Sequence, residues 1–205
     1  YIYNPEKDSF RHFAELSAEN TKIEHTVTAI SGDNKGCVWV AVESQGLFCY
    51  DLEEGKLRNY TLENFSFIST NVQSFVFDNS GTLWIGWYCD GLFYSKDRLQ
   101  TLHPYVSPVD DQKTYANDVV TCLVKGAYNC LYVGLLSEDE NGESVFCREL
   151  LVASDNELWI GAESGLYIYN LRMGKYVHLR SSINDPYSLS DNAIYSLCKD
   201  REGGI

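Results

Sequence analysis

The sequence contains little proline, almost no methionine and few cations. It has 4 Pro and 1 Met among 205 residues, against 15 Tyr and 4 Trp. Aromatic residues favour strands over helices, so this bias predicts β structure. The 16 Lys and Arg are outnumbered by 29 Asp and Glu, which gives a net charge of -13. A surface of this sign repels phosphate backbones and anionic lipid headgroups, which argues against direct binding to nucleic acid or to a membrane surface.

Long apolar runs are also missing. No stretch approaches the roughly 20 apolar residues of a membrane-spanning helix, and no signal peptide opens the chain. The first residues, Tyr1-Ile2-Tyr3-Asn4, are instead typical of the middle of a strand. We therefore expect the chain to be part of a longer protein, with membrane attachment only through that parent.

The cysteines lack the spacing of a redox or zinc motif, because no Cys-x-x-Cys occurs. Most lie inside apolar, strand-like runs, which predicts small buried side chains. Unpaired thiols are typical of a reducing compartment, so these residues fit a periplasmic location only if they are buried. The seven positions are Cys37, Cys49, Cys89, Cys122, Cys130, Cys147 and Cys198.

Sequence signatures of catalysis are missing as well. There is no Gly-x-Ser-x-Gly elbow, no Gly-x-x-x-x-Gly-Lys loop and no His-x-x-x-His or His-Glu-x-x-His pair. Two turns of the type Asp-Asn-x-Gly carry calcium-type ligands, but a complete calcium loop with a distal Glu is lacking. We expect no enzyme activity in this region, no cofactor and no metal.

A short motif recurs along the chain. Leu83-Trp84-Ile85-Gly86 is repeated as Leu158-Trp159-Ile160-Gly161, and Val38-Trp39-Val40-Ala41 is a close variant. A turn precedes each copy and a Gly-Leu-aromatic step follows it. Four short strands repeated every 40–45 residues or so are typical of propeller blades. One such unit cannot bury its apolar faces alone and must stack on its neighbours, so we predict an all-β fold, a β-propeller, with the repeated Trp residues in its core.

The repeat divides the chain into about four and a half blades. In the blade at 72–102, strands are predicted at Val72–Phe77, Thr82–Gly86, Leu92–Tyr94 and Leu99–Leu102. The unit at 119–146 is degenerate, because Trp159 follows Tyr132 too soon; either it has lost its outer strands or residues are missing near 135–147. The predicted segments are the outer strands of a blade (1–13), blades (27–60, 72–102 and 147–179), a degenerate blade (119–146) and the start of a blade (192–205).

The pattern Asp-x-x-Gly-x-Leu-Trp-Ile-Gly, followed by Gly-Leu-x-x-Tyr, resembles the two-component regulator propeller repeat. The segment from Asn184 to Asn192 is similar to that family's linker between blades. The resemblance covers nearly the whole chain apart from about 135–145. It implies the periplasmic sensor region of a hybrid two-component system, with seven-bladed propellers, a membrane helix and a cytoplasmic histidine kinase in the parent. It also implies a homodimer and, as ligand, a small molecule that is often an oligosaccharide.

Ligands of propellers usually bind at the rim formed by the turns between the second and third strands and by the linkers between blades. Sugars bind to aromatic faces, while carboxylates and amides take their hydroxyl groups. The competing interpretation is that these aromatic residues cap the gap between blades. The candidate ligand-binding residues are Trp87, Tyr88, Asp90, Glu43, Gln45, Glu163, Tyr105 and Tyr115.

Two other functions remain open from the sequence. A propeller lyase resembling the streptogramin-inactivating enzymes would need a catalytic His and a metal-holding Glu at the channel mouth, for which His103 is the candidate. A protein–protein interaction scaffold is the second alternative, and the acidic surface gives it weak support.

Overall fold

The computed structural model describes residues 1–12, 23–60, 69–97, 99, 101–106, 118–128, 130–138 and 144–205. Within these ranges the regular secondary structure is β-strand, with no α-helix, and no helix long and apolar enough to span a membrane occurs there. The strands are β1 Ile2–Asn4, β2 Ser9–Arg11, β3 Val27–Gly32, β4 Cys37–Val42, β5 Gly46–Asp51, β6 Lys56–Tyr60, β7 Val72–Phe77, β8 Leu83–Trp87, β9 Gly91–Ser95, β10 His103–Pro104, β11 Val120–Lys125, β12 Leu131–Glu138, β13 Ser144–Ser154, β14 Glu157–Ala162, β15 Gly165–Asn170 and β16 Lys175–Leu179.

Each strand pairs with its neighbours in the chain. β1 and β2 form a hairpin, β3 to β6 form one four-stranded sheet, and β7 to β10 form another. The strands β11 to β16 form a six-stranded sheet in the same sequential order. Pairing is antiparallel in β3–β6 and throughout β11–β16. The prediction of an all-β fold made of antiparallel four-stranded sheets is confirmed.

The Trp motif is tied to the turn that precedes it. Trp39 donates a hydrogen bond from Nε1 to Oδ2 of Asp33 (3.2 Å), and Trp84 does the same to Asp78 (3.0 Å). In both turns the other carboxylate oxygen accepts the backbone N–H groups two and four residues later. One side chain therefore fixes both the turn and the indole.

The third motif lacks this arrangement, because its turn is one residue shorter and Ala153 stands six residues before Trp159, where the other turns have Asp. Nε1 of Trp159 is buried and has no hydrogen-bond partner among the described residues. The predicted core position is confirmed for Trp39, which is fully buried, whereas Trp84 and Trp159 are half-buried.

The chain divides into two compact units. The first comprises Tyr1–Ile85 and Tyr94–His103. In this unit β7 lies against the sheet β3–β6: the hydroxyl of Thr28 donates to the carbonyl of Val72 (2.6 Å), and the Trp39 ring lies 5.6 Å from a Phe of β7. An apolar cluster in this unit consists of Val40, Val42 and Phe48.

The second unit comprises Gly86–Phe93 and Pro104–Ile205. The last residue of each Trp motif allows close packing here. A methyl group on Gly86 would overlap with the side chain of Val120, and one on Gly161 would overlap with Ile194. The absence of a side chain therefore lets the following segment lie directly on the motif strand. The apolar cluster of this unit consists of Cys122, Cys147, Leu150 and Leu158.

The degenerate unit and the next one share a single sheet. β12 pairs with the start of β13 through Leu136 and Phe146, and β13 then continues as the partner of β14. The boundary predicted between 146 and 147 thus falls inside β13, an 11-residue strand. Among the described residues, the degenerate unit therefore has only β11 and β12 as strands of its own. The third strand of its sheet, β13, pairs first with β12 and then with β14.

Two predicted strands are wrong. The outer strand expected at Leu99–Leu102 is a turn, in which Leu99 has φ 71° and its N–H donates to Oγ of Ser95 (2.9 Å); β10 begins only at His103.

The first strand expected at 192–198 is also missing from the described residues. A strand needs a partner along its length, and Ile194 makes only one backbone bond to the motif strand, from its N–H to the carbonyl of Ala162 (3.0 Å). The turn predicted after it is confirmed, since the carboxylate of Asp200 accepts the N–H groups of Glu202 and Gly204.

Candidate functional site

The turns that follow the motif strands present short polar segments to solvent. Glu43 donates its N–H to the carbonyl of Thr26 (2.9 Å), and Glu163 donates to Phe146 in the same way (3.3 Å). Both glutamates are exposed, whereas Gln45 is half-buried. The carboxamide oxygen of Gln45 accepts the N–H of Glu24 (2.9 Å), so this side chain holds the approach to β3.

The role expected for Trp87 does not fit its position. Trp87 lies in β8 rather than in a loop, is 0% exposed and packs edge-to-face on Phe93 at 4.7 Å between ring centres. A ligand cannot reach either face of a ring buried in this way, so we assign Trp87 to packing. Tyr88 is 47% exposed in the adjacent turn, and Asp90 is half-buried there.

The linker candidates give little support for a site. Tyr105 is half-buried and its backbone N–H donates to the carbonyl of Leu92 (2.9 Å), which continues the strand pairing. Tyr115 lies outside the described residues. Of the predicted residues, Trp87, Tyr88 and Asp90 share one short segment, Glu43 and Gln45 share the turn between β4 and β5, and Glu163 belongs to a third turn.

Glu163 takes part in a cluster that the sequence did not reveal. Its carboxylate forms an ion pair with Arg148. The guanidinium lies over the Tyr195 ring at 4.5 Å and over Phe146 at 5.3 Å, both within cation–π range. Nε of Arg148 is buried without a hydrogen-bond partner among the described residues. Tyr195, beside this ion pair, is 69% exposed at the surface.

A cavity of about 370 Å³ opens in the second unit and is lined by residues of β12 to β16. Four tyrosines line it together with aliphatic residues: Tyr132, Tyr167, Tyr169 and Tyr176. Burial, with a smaller contribution from the nearby Cys130, raises the pKa of the Tyr132 hydroxyl, so that this group remains a neutral donor at physiological pH. The volume lies within the range of small-molecule sites.

The cavity adjoins the turn between β14 and β15 through Tyr167. The Tyr167 hydroxyl shares a 3.0 Å hydrogen bond with the hydroxyl of Ser164, and its ring stacks on His178 at 3.8 Å. Nε2 of His178 lies 3.0 Å from the carbonyl oxygen of Ser164 and 3.3 Å from Nε of Arg180. These contacts fix the Tyr167 ring as one wall of the cavity.

The tyrosine residues of β15 and β16 that line the cavity could have been identified from the sequence, although the spacing of the Trp motif does not reveal them. Residues two apart on one strand point to the same side of the sheet. In the hairpin β15–β16, Tyr167 lies opposite His178 and Tyr169 lies opposite Tyr176. Aligning the two strands by their turn would therefore have placed the rings of these three tyrosines and of His178 on one face of the sheet.

The cysteines follow the predicted burial only in part. Cys37, Cys49, Cys122 and Cys147 are buried, whereas Cys89, Cys130 and Cys198 are exposed, and all seven are free thiols. The exposed three lie in a turn, before a strand and in the C-terminal segment, where no sheet face covers them.

The geometry required for a metal-dependent lyase is not found. His103 is exposed in β10, and its ring lies 5.3 Å from that of Tyr94. In the described part of the chain, no group of three or more His, Cys, Asp or Glu side chains is arranged to hold a metal ion.

Comparison with known sequences gave no match: no protein-family model fits the chain. Among curated proteins, none matches it either.

Solved structures do match. A structure assigned as the extracellular domain of a hybrid two-component system of B. thetaiotaomicron has a TM-score of 0.76 at 22% identity, covering 97% of this chain and 27% of its own. The extracellular domain assigned to a one-component system of the same organism has a TM-score of 0.73 at 17% identity, covering 89% of this chain and 26% of its own. An ancestral GH74 enzyme has a TM-score of 0.58 at 10% identity, covering 77% and 24%. The chain spans about a quarter of these structures, and at such identities the likeness shows a shared fold.

Proposed function

We propose that this chain is part of the periplasmic, ligand-sensing region of a hybrid two-component system. In this proposal the sheets are blades of a propeller of seven blades, completed by further repeats in the parent protein. The region itself is not catalytic; the parent carries the histidine kinase, spans the membrane and acts as a homodimer.

One observation carries the proposal. The fold matches an extracellular domain assigned to a hybrid two-component system over 97% of this chain with a TM-score of 0.76. A repeated motif in register with this fold supports the same assignment, since Trp39 and Trp84 are held by equivalent turn carboxylates. The GH74 neighbour is an enzyme, but the site geometry described above contains no catalytic constellation that would favour hydrolysis.

The ligand we propose is an oligosaccharide, bound in the tyrosine-lined cavity. Sugar rings present C–H groups to aromatic faces and hydroxyl groups to polar side chains. Tyr176 is 51% exposed and offers a ring face, and Ser137, which also lines the cavity, offers a hydroxyl group. The acidic character of the chain favours an uncharged glycan over a polyanionic one.

Signalling requires that the ligand binds two arrangements of the sensor with different affinities. Residues of β12 to β16 line the cavity, and these strands belong to one sheet. A glycan that contacts several of these strands would favour one curvature of this sheet. We propose that this bias reaches the kinase through the parent protein.

Isothermal titration calorimetry of the full-length extracellular region against a panel of plant and host oligosaccharides tests the proposal. We expect one glycan class to bind, and Tyr176→Ala to weaken its affinity by about tenfold or more, which corresponds to about 1.4 kcal/mol. Tyr187→Ala is the matched control, because Tyr187 is 96% exposed and lies in a linker.

Tyr195→Ala separates the two candidate surfaces. It removes the exposed ring beside Arg148 without touching the cavity. A loss of binding in Tyr195→Ala but not in Tyr176→Ala would move the site to the Arg148 cluster. No binding across the panel would contradict the oligosaccharide proposal.

A further inference from the structure

Two buried thiols meet inside the second unit. Cys122 lies in β11 and Cys147 in β13, and their Sγ atoms are 3.2 Å apart. A disulfide bond is about 2.05 Å long, so a closing movement of about 1 Å would bring the sulfurs to bonding distance. Cys37 and Cys49 also interact through their side chains, whereas Cys89, Cys130 and Cys198 are exposed.

The room for this contact comes from Gly134, which lies on β12 opposite Cys122. A methyl group at this position would overlap with both sulfur atoms. Gly134 occupies the same place in its strand as Gly86 and Gly161 in the Trp motifs, where the neighbours are Val120 and Ile194. At this one repeat, the space above the glycine is filled by two thiols.

We propose that Cys122 and Cys147 are a disulfide-forming pair that cross-links β11 to β13. The oxidant is a disulfide, such as oxidised glutathione or a disulfide-bearing thiol oxidoreductase. The thiolate of one cysteine attacks a sulfur of that disulfide and releases one thiol. The second cysteine thiolate then attacks the mixed disulfide and releases the other thiol. The protein loses two electrons and two protons, and the oxidant is reduced to two thiols.

The surroundings of the two sulfurs give them different reactivities. Hydrogen bonding from the Cys147 thiol, with the Thr121 hydroxyl also contributing, lowers the pKa of Cys122 in spite of its burial. The same contact and burial raise the pKa of Cys147. A lower pKa leaves more of a thiol as the thiolate that attacks a disulfide. Cys49 is a contrasting case, since burial and then its neighbour Cys37 raise the pKa of Cys49 to about 12.

The cross-link would join segments that the hydrogen-bond ladder connects only through β12. β11 pairs with β12, and β12 pairs with β13. The bond would close a loop that contains residues 123–146 and stabilise the part of the sheet where a blade lacks outer strands of its own. This inference does not depend on the identity of the ligand.

Redox titration of the full-length protein tests the proposal. The protein is refolded in buffers of reduced and oxidised glutathione, because both thiols are buried in the folded chain and the oxidant reaches them before the sheet closes. Free thiols are then blocked with N-ethylmaleimide, and peptides are mapped by mass spectrometry without reductant. We expect a peptide that links Cys122 to Cys147, with Cys89, Cys130 and Cys198 alkylated. Oxidation should also raise the Tm by several degrees.

Cys122→Ala should abolish both the linked peptide and the difference in Tm between oxidised and reduced protein. Cys49→Ala is the matched control, because it removes another buried thiol and should leave both unchanged. The wild-type peptide map needs no variant to fold. Alkylation of Cys122 and Cys147 at every glutathione ratio, or their pairing with other cysteines, would overturn the proposal.

Discussion

The indole of Trp84 donates a 3.0 Å hydrogen bond to the carboxylate of Asp78, six residues earlier in the chain. Trp39 and Asp33 are related in the same way, at 3.2 Å. The turn and the motif strand are therefore locked by one side chain. We expect Asp78→Ala to reduce the free energy of unfolding by about 1–3 kcal/mol, because it leaves a half-buried indole donor and two backbone donors without their acceptor. Urea unfolding followed by fluorescence measures this loss.

The control for this prediction is a double-mutant cycle with Trp84→Phe. If the two side chains act through their shared bond, the losses in Asp78→Ala and Trp84→Phe will not add. Fully additive losses would show that the bond contributes nothing and that each residue acts through other contacts.

The same carboxylate makes stability depend on pH. Burial tends to raise the pKa of Asp78, but hydrogen bonds from Ser80, Trp84 and Thr82 outweigh it and hold the pKa below the ordinary value of 3.8. The unfolded chain then binds a proton more readily than the folded chain, so this stabilisation is complete above pH 3.8 and is lost as the pH falls through the lower folded pKa. We expect the urea midpoint to fall more steeply with acid in the wild type than in Asp78→Asn. Equal slopes would contradict the assignment.

The third motif offers a stabilising change. Ala153 stands six residues before Trp159, as Asp78 stands before Trp84, and the buried Nε1 of Trp159 has no hydrogen-bond partner among the described residues. We expect Ala153→Asp to supply the missing acceptor and to raise the free energy of unfolding by about 1 kcal/mol. Ala153→Asn, which matches the size but not the charge, is the control and should give a smaller gain. Loss of stability in Ala153→Asp would show that this turn, which is one residue shorter, cannot adopt the geometry of the first two.

Gly161 is a position where the repeat leaves no room for a side chain. A methyl group there would overlap with Ile194, so we expect Gly161→Ala to lower the Tm by several degrees, since overpacking costs about 1–3 kcal/mol. The double variant Gly161→Ala with Ile194→Ala should recover part of the loss because it removes the overlapping atoms. An unchanged Tm in the single variant would mean that the segment around Ile194 does not pack on this strand.

The sequence predicted the strands best where the repeat was complete. Val72–Phe77 matches β7 without a shift, because alternation and the following turn define both ends. Leu99 could not be placed in the same way, since the side chain of Ser95 captures its N–H and turns the chain before β10. The repeat pattern also did not predict that β12 and β13 pair with each other. That pairing depends on the register between Leu136 and Phe146 rather than on composition.

The candidate site was harder to predict for a related reason. Spacing placed Trp87 in a rim turn, but the strand extends by one residue and buries its ring. Arg148 lies in an ordinary strand sequence, and only the fold brings it to Glu163 and Tyr195. A site at a rim is formed by side chains that differ from one turn to the next. The repeat motif describes only the residues that all units share, so it does not identify the residues of such a site.

Hydrogen–deuterium exchange of the full-length extracellular region, with and without pooled oligosaccharides, tests the central claim most directly. The account predicts slower exchange in β15–β16, around Tyr167 and Tyr176, and in β12, with little change in the turn at 88–90. Protection confined to that turn, or no protection at any described segment, would contradict the proposal that the tyrosine-lined cavity is the ligand site of a sensor.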